Sequence, residues 1–163
     1  MDNYKPLNII FSNTNISDLS KLHISLLVLQ QSTLNITNKL KIFIKTQKNV
    51  LIQIHHQLEI PLSLNDFTSM MTYLLEKMKI KDDKGTVLMS VIKNRIGEYL
   101  PPNTYKMRLD VAGKMVSKDE GKTYAIFINE NDGEEDMETV RVSDYKMDSI
   151  GISNQITNIF SDL

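Results

Sequence analysis

Residues 40–54 read LKIFIKTQKNVLIQI, and this stretch decides the fold expected for the first third of the chain. Apolar and polar side chains alternate on both sides of a polar segment at residues 46–49. Such alternation is typical of half-buried strands, and a short polar segment between two alternating runs is typical of a hairpin. The sequence therefore predicts an antiparallel hairpin within residues 34–60.

Two more apolar runs precede this hairpin, at residues 7–11 and 22–29. We interpret both as strands, which extends the prediction to an antiparallel meander over about residues 7–60. A helix over residues 17–30 is an open alternative for the second run. Leu19, Leu22 and Leu26 also follow the three-to-four-residue spacing of one helix face.

The hydrophobic period changes after Pro61. From Phe67 to Met78 apolar residues recur every three or four positions, and Ser63 is placed to cap the helix that this spacing predicts. Residues 86–99 are interpreted as a second helix, so that a helical pair occupies about residues 63–100. A strand over residues 86–93 is the alternative, because the β-branched side chains there favour strands.

The last third of the chain is predicted to contain a second antiparallel ribbon, over about residues 104–143, and then a helix. The helix is amphipathic, and we expect its apolar face either to pack back on the domain or to dock on a partner. This face holds Ile152, Ile156, Ile159, Phe160 and Leu163. The predicted class is therefore α+β in a single domain of residues 1–163, with a division near residue 61 or 101 as the alternative.

The composition excludes several classes of protein. The 163 residues contain no Cys, which excludes a disulfide scaffold, a zinc finger, an iron–sulfur centre and a cysteine nucleophile. A net charge of −1 removes overall basicity as an argument for nucleic-acid binding. Residues 129–163 hold nine acidic and two basic residues, so the acidic charge is concentrated at the end of the chain.

Neither a signal sequence nor a membrane-spanning apolar run is found, so a cytoplasmic protein without a membrane partner is expected. Richness in Ile, Lys and Asn with very little Ala indicates an AT-rich genome, such as that of a phage or virus. For a viral protein the expected location becomes the host cytoplasm or the virion.

No catalytic, cofactor-binding or metal-binding residue is assigned from the sequence. His55 and His56 are adjacent on a predicted strand and therefore point to opposite faces, which does not suit a shared metal. The acidic segment 130–138 has the carboxylates that a calcium ion prefers, but we favour a solvated hairpin loop that protects a sheet edge. No stretch matches the motif of a known family closely enough to transfer residues.

One strand face carries a basic pattern with an aromatic residue in it. Lysines and a phenylalanine share one parity in the hairpin, and stacking combined with backbone charge is how sheet surfaces hold single-stranded nucleic acid. The same lysines could instead protect an exposed strand edge from aggregation. The residues of this predicted face are Lys39, Lys41, Phe43, Lys45 and Lys48.

These observations favour a non-enzymatic interaction or assembly module, which binds a protein partner or itself. A virion component or a host-factor-binding protein is the form expected from an AT-rich viral genome. The alternative is a single-stranded nucleic-acid-binding domain that uses the Lys and Phe strand face. A small enzyme with an unrecognised acidic site is the weaker alternative.

Overall fold

The computed structural model of the chain describes residues 5–93, 95–119, 121–130 and 137–161. Within these residues the chain forms eight strands, four α-helices and one 3₁₀ turn. The elements are β1 (Leu7–Thr14), α1 (Ser20–Gln30), α2 (Thr33–Ile36), β2 (Leu40–Thr46), β3 (Leu51–Ile54), α3 (Leu64–Lys77), β4 (Lys79–Lys81), β5 (Val87–Ile92), a 3₁₀ turn (Ile96–Glu98), β6 (Tyr105–Met115), β7 (Tyr124–Ile128), β8 (Glu138–Arg141) and α4 (Ser149–Ile159).

The strands form one mixed sheet of eight strands in the order β4-β5-β3-β2-β1-β7-β6-β8. β1 is parallel to both β2 and β7, and β6 is parallel to both β7 and β8. The pairs β2–β3, β3–β5 and β5–β4 are antiparallel. As a result β1, β2, β5, β6, β7 and β8 all end at the same edge of the sheet, which we call the carboxyl edge.

The predicted α+β class is therefore wrong, and the fold is α/β. The hairpin within residues 34–60 is confirmed as the antiparallel pair β2–β3. The antiparallel meander over residues 7–60 is wrong, because β1 and β2 are parallel and α1 crosses between them. The helical alternative for residues 17–30 is the one that the structure adopts. β1 is buried on both faces, and strands in that position have continuous apolar runs without alternation.

The helical pair over residues 63–100 is half right. α3 is confirmed, and the Ser63 hydroxyl caps it by accepting a hydrogen bond from the Asp66 amide at 3.0 Å. The second helix is wrong and its strand alternative is confirmed, since residues 87–92 form β5 between β3 and β4. Pairing on both sides satisfies the backbone of β5 and suits its β-branched side chains.

The second antiparallel ribbon over residues 104–143 is also wrong. The segment does contain three strands, but β7 and β8 both pair with β6 in the parallel direction. Hydrophobic periodicity identifies a strand without showing its direction, so an antiparallel ribbon and a set of parallel strands look alike in sequence. The helix at the end of the chain is confirmed as α4.

The sheet separates two apolar clusters. The larger cluster fills one face and is covered by α1, α3 and α4, with Leu26, Phe67 and Phe160 fully buried. The smaller cluster lies on the other face, around Phe43 and Phe127, and is covered by the segment at residues 96–100. Burial of this apolar surface is the main force that holds the elements together.

Met78 is the residue that ends α3. It adopts a left-handed backbone conformation (φ 72°), and its amide donates to the Leu74 carbonyl at 2.7 Å. This is the position where helices usually place glycine, because a Cβ in the left-handed region is sterically strained.

The free energy of unfolding of Met78→Gly should therefore be about 0.5–1 kcal/mol higher than that of Met78→Ala, as measured by urea denaturation. The side chain is 41% exposed, so more than half of it is buried and both variants lose the same apolar contact. Met78→Ala is the matched control, because it removes the same side chain and keeps the strained Cβ. Equal free energies of unfolding in the two variants would contradict this account.

Candidate functional site

A cleft of about 370 Å³ opens at the carboxyl edge, between the middle of β6 and the ends of β7 and β8. Ligands of open α/β sheets bind outside the carboxyl ends of the strands, and pockets of this size accommodate small molecules. The cleft has apolar walls with charged groups of both signs. Its lining residues are Arg108, Leu109, Asp110, Val111, Asn129, Glu130, Arg141, Val142, Ser143, Tyr145, Lys146, Met147 and Ile152.

A bulge in β6 builds one wall of this cleft. Leu109 and Lys114 both pair with Val140 of β8, so residues 110–113 leave the ladder between these two points. The bulge begins with Asp110, whose carboxylate accepts a hydrogen bond from the Ala112 amide at 2.9 Å. Such bulges re-aim side chains beside binding sites, and here the bulge places Asp110 and Val111 in the cleft.

Two arginines connect the strand ends around the cleft. The Arg141 guanidinium donates to the Gly113 carbonyl at 2.7 Å and to the Asp144 carboxylate at 3.1 Å. These bonds join the β6 bulge to the segment that follows β8. The Arg108 guanidinium donates to the Thr139 hydroxyl at 3.3 Å. The two arginines that line the cleft therefore also fix its walls in position.

A second hollow of about 450 Å³ adjoins the cleft and shares Asn129, Lys146 and Met147 with it. It lies between the end of β1, the start of α1 and the segment that leads into α4. Asn13 at the end of β1 and Asn129 at the end of β7 both have positive φ angles, of 53° and 63°. Asn tolerates this conformation better than other residues with a side chain, which suits the sharp exit of the chain from two adjacent parallel strands.

Asp18 and Lys21 bring opposite charges to the second hollow. The pKa of the Asp18 carboxyl lies below its usual value, chiefly because it accepts a hydrogen bond from the Ser20 hydroxyl at 2.7 Å. Asp148 also lines this hollow and caps α4, because its carboxylate accepts from the Ile150 amide at 3.1 Å. These two carboxylates are thus already hydrogen-bonded within the chain.

The structure does not bring the residues of the predicted basic strand face together on one surface. Phe43 is 1% exposed and packs in the smaller apolar cluster, 6.3 Å from the ring of Tyr99, so its place on a stacking surface is wrong. The segment at residues 96–100 covers that face, which the strand pattern does not show. Lys39 and Lys41 lie near the start of β2, whereas Lys45 and Lys48 lie at its carboxyl end.

The apolar face of the last helix packs against the chain's own core, which is the first of its two predicted alternatives, and the alternative of docking on a partner is wrong for the described residues. Ile156 and Phe160 are fully buried, and the Phe160 ring lies 5.9 Å from that of Tyr124. Ile152 and Ile159 pack against the same cluster. Leu163 lies outside the described residues. The four described side chains therefore hold α4 onto the sheet instead of presenting a free surface.

The histidines lie away from the cleft. His23 on α1 bonds the Pro61 carbonyl at 2.6 Å and stacks on Phe67. β3 ends at Ile54, so His55 and His56 are in a turn and stack on each other at 4.4 Å, which corrects the expectation of opposite strand faces. Among the described residues no group of three or more His, Asp or Glu side chains is arranged to hold a metal. Most of the acidic segment 130–138 lies outside them.

Comparison with known proteins identifies the family of the chain. The model of the EMG1/NEP1 methyltransferase family matches residues 18–161, which include α1, the cleft and α4. The chain belongs to the EMG1/NEP1 methyltransferase family. A crystal structure of Archaeoglobus fulgidus Nep1 bound to S-adenosylhomocysteine has the same fold, with a TM-score of 0.77 over 96% of this chain and 97% of that one. At 11% identity this likeness concerns the fold alone, and it agrees with the α/β class described above.

Curated relatives include "Ribosomal RNA small subunit methyltransferase NEP1" of Drosophila melanogaster, 39% identical over 95 residues, which are 58% of this chain and 38% of that protein. The corresponding Caenorhabditis elegans protein is 36% identical over 115 residues, which are 66% of this chain and 50% of that protein. The Homo sapiens protein is 36% identical over 96 residues, covering 58% of this chain and 39% of its own length. The matched region thus spans half or less of these relatives.

Membership in this family overturns the predicted assembly module, and the viral and virion assignments with it. The sequence interpretation missed the cleft residues because it expected the strands to be antiparallel. Some polar cleft residues directly follow an apolar run, as Asn129 follows residues 124–128. If the strands had been expected to be parallel, the polar residues at the ends of these apolar runs would have been predicted to meet at one edge of the sheet. In the described residues, no helix is long and apolar enough to span a membrane.

Gly113 lies in the β6 bulge, in close contact with the backbone of β8. A Cβ built on it would lie 2.7 Å from the Thr139 carbonyl and the Val140 amide nitrogen. Gly113→Ala should therefore push the β6 bulge away from β8 and lower the free energy of unfolding by about 1–3 kcal/mol, measured by thermal or urea denaturation. Gly97→Ala is the control, since nothing lies within 4 Å of the added methyl group. Equal free energies of unfolding in the two variants would contradict this prediction, because they would show that β8 can move away from residue 113 without loss of stability.

His56, in the turn after β3, should make the stability of the fold depend on pH. Burial lowers the pKa of His56 below 6.5, and the neighbouring His55 lowers it further. The unfolded chain therefore takes up a proton near pH 6.5 that the folded chain does not yet bind, and stability should decrease as the pH falls through that value. His56→Gln should flatten the plot of unfolding free energy between about pH 7.5 and 5.5. An unchanged slope in this variant would assign the pH dependence to other groups.

Proposed function

We propose that this chain is a ribosomal RNA methyltransferase that binds an S-adenosyl methyl donor in the cleft. The observation that carries the proposal is the position of the cleft beside the β6 bulge and the ends of β7 and β8, inside the region that matches the family model. The relatives are named as small-subunit ribosomal RNA methyltransferases. The archaeal protein of the same fold was crystallised with S-adenosylhomocysteine, the product form of such a donor.

The cleft suits the chemistry of this donor. Leu109, Val142 and Ile152 give apolar walls on which an adenine ring would pack. Lys146 supplies a positive charge for the carboxylate of the amino-acid end. A carboxylate such as that of Asp110 would accept hydrogen bonds from ribose hydroxyls and offset the charge of the sulfonium.

The donor supplies a methyl group on a positively charged sulfur, and the C–S bond breaks as the bond to a nucleophilic atom of the RNA forms. The protein's task is to hold the acceptor in line with that bond, to exclude water and to provide a base for the proton that the acceptor loses. Asp110 and Glu130 are the carboxylates that line the cleft. Arg108 and Arg141 keep the strand ends in place, which limits movement of the walls.

Filling the cleft should prevent donor binding. Val111 lines the cleft and is 47% exposed, so Val111→Trp adds bulk there without disturbing the core. We expect this variant to bind S-adenosylhomocysteine at least about tenfold more weakly in isothermal titration calorimetry, a loss of about 1.4 kcal/mol. The same variant should lose methyl transfer to RNA.

Met115→Trp is the matched control for this experiment. Met115 is on the same strand and is 46% exposed, but it does not line the cleft. Its affinity for S-adenosylhomocysteine should equal that of the unchanged chain. If Val111→Trp binds S-adenosylhomocysteine as tightly as the unchanged chain does, the donor site lies outside the cleft. If the unchanged chain does not bind S-adenosylhomocysteine, the proposed function is refuted.

A further inference from the structure

Two segments of the chain contain basic residues and no acidic residue, at positions 39–58 and 84–97. Strands β2, β3 and β5 lie within these segments. Within these two segments no acidic residue offsets the lysines and the arginine, although Asp83 precedes Lys84, so the segments form basic stretches in a chain whose net charge is −1. The position of these charges in the fold decides what they can bind.

The strand register brings part of this charge to the carboxyl edge. Lys45 of β2 is opposite Leu51 of β3, and Leu51 is opposite Ile92 of β5. Lys48 lies in the turn after β2, and Lys93 follows Ile92 directly. Together with Arg95, these three lysines form a group at one end of three adjacent strands, which we call the basic edge.

The basic edge is continuous with the cleft. The Gln47 amide, next to Lys48, donates to the Thr14 carbonyl at 2.9 Å, and Thr14 lines the second hollow. That hollow shares part of its lining with the cleft. With strands about 4.8 Å apart, β2 lies about 14 Å from β6, and β5 lies about 24 Å from it. A polymer whose reacting unit occupied the cleft would extend across this distance.

Lys48, Lys93 and Arg95 are exposed, and Lys45 is partly exposed. Lysine and arginine side chains bind nucleic-acid phosphates, which fixes the position of the strand without reading its sequence. We propose that the basic edge binds the phosphate backbone of the RNA whose base enters the cleft. This inference rests on the proposed function and adds the surface that holds the substrate.

The test compares RNA affinity across salt concentrations. Wild type and the Lys48→Gln/Lys93→Gln double variant are titrated onto a short fluorescein-labelled RNA hairpin with a single-stranded loop, and anisotropy is recorded. Loss of two phosphate contacts on single-stranded RNA should weaken binding about 25-fold at about 0.1 M salt. The slope of log K against log salt should become shallower by about 1.4.

Lys81→Gln/Lys84→Gln is the matched control, because it removes the same charge from exposed positions elsewhere. Lys81 pairs with Val87 at the start of β5, and Lys84 lies in the preceding turn, at the opposite end of β5 from Lys93. This variant should keep the wild-type affinity and salt slope. Both variants should keep the thermal unfolding midpoint and the affinity for S-adenosylhomocysteine, since neither alters the core or the cleft.

Equal weakening by the two variants, no weakening by either, or no RNA binding by wild type would each overturn the proposal. The donor titration separates it from the proposed function. Binding of S-adenosylhomocysteine with unchanged RNA affinity in Lys48→Gln/Lys93→Gln refutes the basic edge alone. RNA binding that depends on Lys48 and Lys93, in a chain that does not bind S-adenosylhomocysteine, refutes the proposed function alone.

Discussion

The burial of β1 on both faces is the constraint on which the rest of the structure depends. Its residues from Leu7 to Ser12 are all buried, and it is hydrogen-bonded to a parallel strand on each side. Such a strand belongs in the middle of a sheet that has cover on both faces. A parallel neighbour also requires a crossover, which α1 provides on the β2 side, and this crossover prevents the first third of the chain from folding as a meander.

Parallel pairing also explains why the functional features lie together. Six strands end at the carboxyl edge, so segments that are far apart in sequence meet there. The cleft, the second hollow and the basic edge are successive parts of this edge, running from β8 towards β5. A net charge of −1 thus conceals an uneven distribution of charge along the chain.

Sequence and structure agree where local patterns are sufficient. The β2–β3 hairpin, α3 with its Ser63 cap, and α4 were all predicted because alternation, helical spacing and capping depend on neighbouring residues. They differ where the outcome depends on distant partners. Phe43 alternates as a residue on an exposed face would, yet the segment at residues 96–100 covers it. Residues 87–92 fit a helix or a strand, and only pairing with β3 and β4 selects the strand.

The sequence by itself therefore determined the main local elements, the lack of cysteine chemistry and the uneven distribution of charge. The tertiary structure decided the direction of the strands, and through it the cleft residues such as Asp110, Asn129 and Arg141. The physical reason is that a hydrophobic period records which side of a strand is buried but carries no information on which strand lies beside it. Strand order is fixed by long-range packing, and the binding edge exists only once that order is set.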